Sequence, residues 1–179
     1  MNRLIGRDVY LATLERADCR RLWEMDAYDF DHPAEEPNLG HSAEKADAWF
    51  DEIQKLQGRQ HVRLGIFLRD GAVIGDVALQ DIDWKNRVCS LGMGFSRLED
   101  RGKGYGAQAA ELMLDYGFRL LGLERIAANT LSPNRAAQRS LEKLGMRLEG
   151  VERRAVLLCG ERVDRLHYGL LRDEFLQKI

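Results

Sequence analysis

Apolar and polar residues alternate over DVYLATLE (8–15), a period of two that buries one face and predicts a first strand. The pattern then turns helical. Arg16 to about Asp29 carries Cys19, Leu22, Trp23 and Met25 among charged residues, and SAEKADAWFDEIQKL (42–56) predicts a second helix with Ser42 as its N-cap. Between them DFDHPAEEPNLGH reads as a polar loop. HVRLGIFLRDGAVIGDVALQDIDWKNRVCSLGMGFS (61–96) holds β-rich runs separated by the turn signals Asp70-Gly71 and Lys85-Asn86, which predicts an antiparallel meander. A glycine-rich stretch leads into a helix ending near Gly122, and ERIAANTL (124–131) is a short strand. SPNRAAQRSLEKLG (132–145) predicts a helix with Ser132 as cap, Pro133 in the first turn and Gly145 at the left-handed C-terminal position. Two strands near 146–158 and 162–171, joined at Cys159-Gly160-Glu161, complete the chain. The order β-α-α-β-β-β-α-β-α-β-β predicts an α+β fold, a mixed sheet of about seven strands with helices on its faces.

Composition narrows this picture without changing it. The 179 residues are 45% apolar and 31% charged with three prolines, as expected for one globular domain spanning 1–179. A formal charge of -2 lacks the basic footprint of a nucleic-acid binder. MNRLIGRDVY has no secretory apolar core and no long uncharged apolar run follows, so a cytoplasmic protein with no membrane partner is expected. Cys19, Cys89 and Cys159 form no C-x-x-C pair, and His32, His41, His61 and His167 show no ligand spacing, so no metal is expected.

The chemistry concentrates in EDRGKGYGAQAAE (99–111). Bare backbone amides entering a helix N-terminus bind anions, and Arg101 and Lys103 add positive charge, so one reading is a phosphate loop. It is not a Walker A loop, because Lys103 is followed by Gly104 rather than Ser or Thr and Arg97 stands where the first glycine belongs. The match Gly102-x-Gly104-x-x-Ala107 to a dinucleotide fingerprint is in the wrong context, since antiparallel strands precede it. The alternative is a glycine turn that only joins a strand to a helix.

Arg101-Gly102-Lys103-Gly104-Tyr105-Gly106 fits the pattern Q/R-x-x-G-x-G/A, between the strand CSLGMGFS and a helix–strand–helix segment running to about 150. In this the chain resembles the GNAT-superfamily N-acetyltransferases, in particular the branch of ribosomal-protein N-terminal and spermidine acetyltransferases. The resemblance implies a central twisted, mostly antiparallel sheet in which a splayed parallel pair of strands forms an acetyl-CoA cleft. It implies that the amides of Arg101, Gly102, Lys103, Gly104, Tyr105 and Gly106 hold the pyrophosphate, that pantetheine pairs with the backbone of Met93, Gly94 and Phe95, and that Asn129 and Asn134 are further cofactor contacts. Gly92 and Gly94 within a strand fit such a close approach. Asn134 reads equally as a helix cap.

Acetyl transfer needs a neutral amine, a donor for the oxyanion and a proton for the thiolate. A strand N–H at a bulge near Gly94 or Phe95 is the candidate oxyanion donor. The family's tyrosine acid is replaced by Leu141, and a serine common in the family by Ala137, which leaves Ser140 or water as proton donor. Asp81, Asp83 and Glu149 are candidate bases, each reading alternatively as a surface charge, and Asp29, Asp31, Glu35 and Glu36 form a candidate cation-recognising rim. With no compelling base, a weakly basic N-terminal amine is favoured over an amine of pKa near 10.4. The implied activity is acetyl-CoA-dependent acetylation of a primary amine, by a chain that is a possible homodimer through its apolar last hairpin; the alternative is a non-catalytic acyl-CoA-binding protein.

Overall fold

Strict alternation along β2 (Val9–Ala12) sends Val9 and Leu11 into one apolar core and Tyr10 and Ala12 into another. Neighbouring β3 (Val62–Leu68) does the same with Ile66 and Phe67. One sheet thus separates two cores. The computed structural model describes residues 3–28, 40 and 42–177; the acidic rim expected at Asp29, Asp31, Glu35 and Glu36 lies outside them.

Among the described residues the sheet has eight strands in the order β1-β2-β3-β4-β5-β6-β8-β7. The others are β1 (Leu4–Ile5), β4 (Val73–Asp83), β5 (Val88–Phe95), β6 (Arg125–Leu131), β7 (Arg147–Leu158) and β8 (Glu161–Leu171). All neighbours are antiparallel except β5 and β6. The strand beyond the expected seven is β1, two residues long and so too short for alternation to show.

On the smaller core's side α1 (Arg16–Met25) lies beside α2 (Ala43–Leu56). Arg20 grips Asp47 with both ends of its guanidinium at 2.7 and 2.6 Å, and Arg16 Nη2 meets Asp51 at 2.6 Å. The other face carries α3 (Tyr105–Asp115), α4 (Arg135–Leu144) and the unanticipated α5 (Arg172–Leu176). A π-helical stretch, Tyr116–Leu120, extends α3, and its Phe118 ring lies 5.2 Å from that of Phe175 on α5. Such a pair adds about 1 kcal/mol to the burial of its rings.

Two local expectations are corrected. The N-cap of α4 is Asn134, not Ser132: Asn134 Oδ1 accepts from the Ala137 N–H at 3.0 Å, while Ser132 Oγ accepts from the Asp164 N–H at 3.1 Å. The bulge expected near Gly94 or Phe95 is also elsewhere. The β4–β5 register runs unbroken from Gly75–Phe95 to Gln80–Ser90 and breaks before Asp83–Val88, where Asp81 takes φ 53. Aspartate tolerates that left-handed conformation better than most residues.

Candidate active site

Strands β5 and β6 pair only through Val88–Arg125, Cys89–Ile126 and Ser90–Ala127; beyond Ser90 they part. The Ser96 N–H donates to the Ile74 carbonyl at 3.2 Å. Backbone groups alternate along a strand, so even-numbered residues of β5 face β4, and Met93 and Phe95 turn N–H and C=O toward β6. On β6, Glu124 accepts from the Arg172 N–H at 3.0 Å and Ser132 donates to the Asp164 carbonyl at 2.9 Å. Even-numbered groups there face β8, which leaves Asn129 and Leu131 aimed at β5. The gap is therefore edged by backbone groups of Met93, Phe95 and Asn129 that no facing strand pairs, while the Leu131 carbonyl at its end accepts from the Asn134 N–H at 3.0 Å and from Gln138 Nε2 at 3.2 Å. Unpaired strand edges of this kind form hydrogen bonds with an extended, amide-bearing guest. The oxyanion donor read at Gly94 or Phe95 is thereby narrowed, since it is the Phe95 N–H that faces the gap.

The glycine loop stands at the mouth of this gap. A 3-10 turn, Leu98–Asp100, follows β5. Asp100 is buried inside it, with Arg97 Nε donating to Oδ2 at 2.6 Å and Lys103 Nζ 3.9 Å from Oδ1. Gly102 and Gly104 adopt φ 77 and 84, which a residue with a Cβ reaches only at a cost of roughly 1–2 kcal/mol. Gly104 is the N-cap of α3, so the first amides of Tyr105 and Gly106 meet no side-chain cap. Gly106 has a different reason: a Cβ there would lie 3.1 Å from Phe95 Cε2 and 3.2 Å from Met93 Cε. Its absence lets α3 close onto β5. Arg101 Nη2 donates to the Phe95 carbonyl at 3.4 Å. Gln108 anchors the helix from behind, accepting from the Asp8 N–H at 2.9 Å and donating to Asp8 Oδ2 at 2.7 Å. Positive side chains, bare amides and an open cradle fit a diphosphate.

The sequence-derived acid and bases fall in less favourable places. Ser140 Oγ donates to the Ala136 carbonyl at 3.0 Å, one turn back along its own helix. Leu141 packs against the main core. Asp83 caps the β4–β5 turn, accepting from Asn86 N at 2.9 Å and Asn86 Nδ2 at 2.6 Å, and these bonds hold its carboxyl below the usual range. It lies opposite Val88, seven residues or about 23 Å of strand from Phe95. Asp81 sits at the bulge near that same end. Glu149 is an ion-pair partner of Arg125, whose hydrogen bonds hold its carboxyl low; the pair lies over Gly169, with Arg125 Nη1 donating at 2.7 Å. None of these carboxylates is brought to the open gap.

A polar group that sequence reasoning missed lies closer. Asp76 on β4 faces Gly94, and Arg63 of β3 donates Nη1 to Asp76 Oδ2 and Nη2 to Gln80 Oε1 at 3.4 Å. The Asp76 and Arg63 side chains are only 16% and 19% exposed. Burial pushes the Asp76 carboxyl above the ordinary carboxylate range, against the pull of Arg63. The Arg63 guanidinium carbon sits 5.7 Å from the ring centroid of Trp49, which tilts against Trp23 at 6.0 Å. The available signal was the pair of polar residues, Asp76 and Gln80, on one face of an otherwise apolar strand.

The acetyltransferase (GNAT) domain family matches residues 8–147. The uncharacterized N-acetyltransferase YnaD of Bacillus subtilis (strain 168) is 35% identical over 124 residues, 69% of this chain and 72% of that protein. The putative ribosomal N-acetyltransferase YdaF of the same strain is 26% identical over 175 residues, 96% and 95% of the two chains. The crystal structure of spermidine N-acetyltransferase from Vibrio cholerae, in complex with CoA and spermine, shares the fold with a TM-score of 0.82 at 22% identity, covering 96% of this chain and 99% of that one.

Proposed function

The chain belongs to the GNAT acetyltransferase family, and we propose that its parted strands and glycine loop together form the site where acetyl-CoA meets a primary amine. The protein is an N-acetyltransferase with acetyl-CoA as cosubstrate. The observation that carries the site assignment is the end of β5–β6 pairing at Ser90–Ala127 on a strand that runs on, unpaired on that side, to Phe95 and then, through a 3-10 turn, into a loop of uncapped amides. The amides of Arg101 through Gly106 take the pyrophosphate, with Lys103 beside it. Backbone groups of Met93, Phe95 and Asn129 pair with the pantetheine, and Gly94 keeps that stretch of β5 free of a side chain. Asn134 presents the amide end that capping leaves over. The Phe95 N–H polarises the thioester carbonyl, as a fixed donor aimed at developing charge.

The acceptor is a primary amine of a protein N-terminus or of a small molecule. The relatives span both kinds, a putative ribosomal enzyme and one solved with spermine. With Leu141 in the core and Ser140 bonded along its own helix, water is the proton donor to the thiolate. Free Cys19, Cys89 and Cys159 support a reducing, cytoplasmic setting. Strand β7 ends the sheet with Leu148, Val151 and Leu157 exposed, which supports pairing of this edge with a second copy.

The test is release of free thiol from acetyl-CoA across a panel of polyamines and unblocked peptides. Amine-dependent thiol release supports the reading. Saturable coenzyme A binding with no turnover on any amine would instead make the protein an acyl-CoA binder.

A further inference from the structure

We propose that Asp76, held by Arg63, is the group that takes the proton from the attacking amine. This rests on the acetyltransferase reading above and names a residue within that site. Asp76 pairs with Gly94, the residue before Phe95, whose N–H faces the parted strands. Its Oδ1 lies 3.6 Å from the position a Cβ on Gly94 would occupy. With Gly94 and Gly92 both lacking side chains, nothing on β5 screens this carboxylate, or the Gln80 amide beside it, from the gap.

The groups facing Asp76 allow it to serve. Among the described residues Arg63, from β3, is the charge acting on it. From α1 the Cys19 thiol approaches, pushed up to about 12 by burial and therefore neutral. Strand β5 contributes no charge, and Gln80 on β4 is neutral. Burial raises the carboxyl above the ordinary carboxylate range, and the Arg63 guanidinium bonded to Oδ2 pulls it the other way, favouring the ionised form.

The step balances without a further reagent. The acceptor ammonium gives one proton to Asp76, and the freed nitrogen pair forms a bond to the acetyl carbon. As the carbon–sulfur bond breaks, its electrons leave with sulfur. The nitrogen's second proton passes through water to the thiolate, and Asp76 returns the first to solvent.

Asp76→Asn and Asp76→Glu, assayed with spermidine or an unblocked peptide, whichever the wild type acetylates, test the assignment. Asp76→Asn is expected to lower kcat/KM for the amine at least about 100-fold near pH 7, with the coenzyme A Kd within about twofold of wild type. The deficit should shrink as pH rises toward the amine's own pKa, and Asp76→Glu should recover part of the rate. An Asp76→Asn protein with the wild-type kcat/KM and pH profile overturns the assignment. If Asp76→Asn does not fold, Asp76→Glu decides: displacing the carboxylate by one methylene is expected to lower kcat/KM for the amine at least about fivefold and to move its pH profile, and a Glu variant with the wild-type rate and profile overturns the proposal. Wild-type turnover is read in the same assay, so failure here leaves the acetyltransferase reading standing.

Discussion

Ser90 and Ala127 are the last residues at which β5 and β6 face each other, and the site follows from that separation. Had the strands stayed paired through Phe95 and Leu131, their backbone groups would satisfy one another and leave nothing for a guest.

Gly106 separates the packing role of the loop from its backbone conformation. Valine there pushes into Phe95 Cε2 and Met93 Cε, the far ends of flexible side chains, so the fold accommodates it while the side chains shift against the cleft. We expect coenzyme A affinity to fall at least about tenfold, about 1.4 kcal/mol. The thermal midpoint should drop by no more than about 4 °C. Calorimetric titration and a melting curve on Gly106→Val check both.

Ser140→Ala should retain kcat within about threefold of wild type, because Ser140 Oγ is bonded to the Ala136 carbonyl along its own helix. A fall of about 100-fold in steady-state assays would restore this serine as the acid. Glu149→Gln should likewise leave kcat near wild type, and its stability cost should be at most about 1 kcal/mol, as for other half-exposed ion pairs.

His61 couples stability to pH. Its ring is buried with Nε2 3.1 Å from the Ile53 carbonyl, and burial holds its pKa below the usual 6.5. Between the folded value and 6.5 the unfolded chain binds the proton that the folded ring refuses. The ring's contribution is therefore complete above 6.5 and lost as pH falls through the folded value. Denaturant midpoints should fall between about pH 7.5 and about pH 5.5, and fall less in His61→Gln. Equal slopes for the two proteins would contradict this.

Thiol reactivity should divide sharply. Cys19 and Cys89 are buried and their thiols pushed up to about 12, whereas Cys159 is exposed in the β7–β8 turn, its Sγ 3.1 Å from the Tyr28 hydroxyl. A thiol reagent followed by mass spectrometry should modify Cys159 within minutes and the other two only on unfolding. Rapid labelling of Cys89 would mean that the sheet opens next to the cleft.

Much of the fold was legible because its signals are local. Alternation marked the long strands, Asp70-Gly71 and Lys85-Asn86 marked their turns, and Gly102, Gly104 and Gly106 marked the loop. The departures arose where a residue's role is set by distant partners. Ser132 and Asn134 are both good caps by composition; Ser132 instead answers Asp164 on β8, which local sequence does not reveal. The position of the bulge depended on register, with Asp81 rather than Gly94 absorbing it. Asp76 was passed over for Asp81 and Asp83 because only the pairing of β4 with β5 places it beside Gly94. Leu4 and Ile5 carried too short a pattern to declare a strand.

Isothermal titration of coenzyme A into the protein, at low and at raised ionic strength, tests the central claim most directly. A diphosphate held by loop amides beside Arg101 and Lys103 predicts saturable binding of one coenzyme A per chain, weaker as salt screens the charges. A titration with no saturable heat up to millimolar coenzyme A would contradict the assignment of the loop and of the parted strands alike.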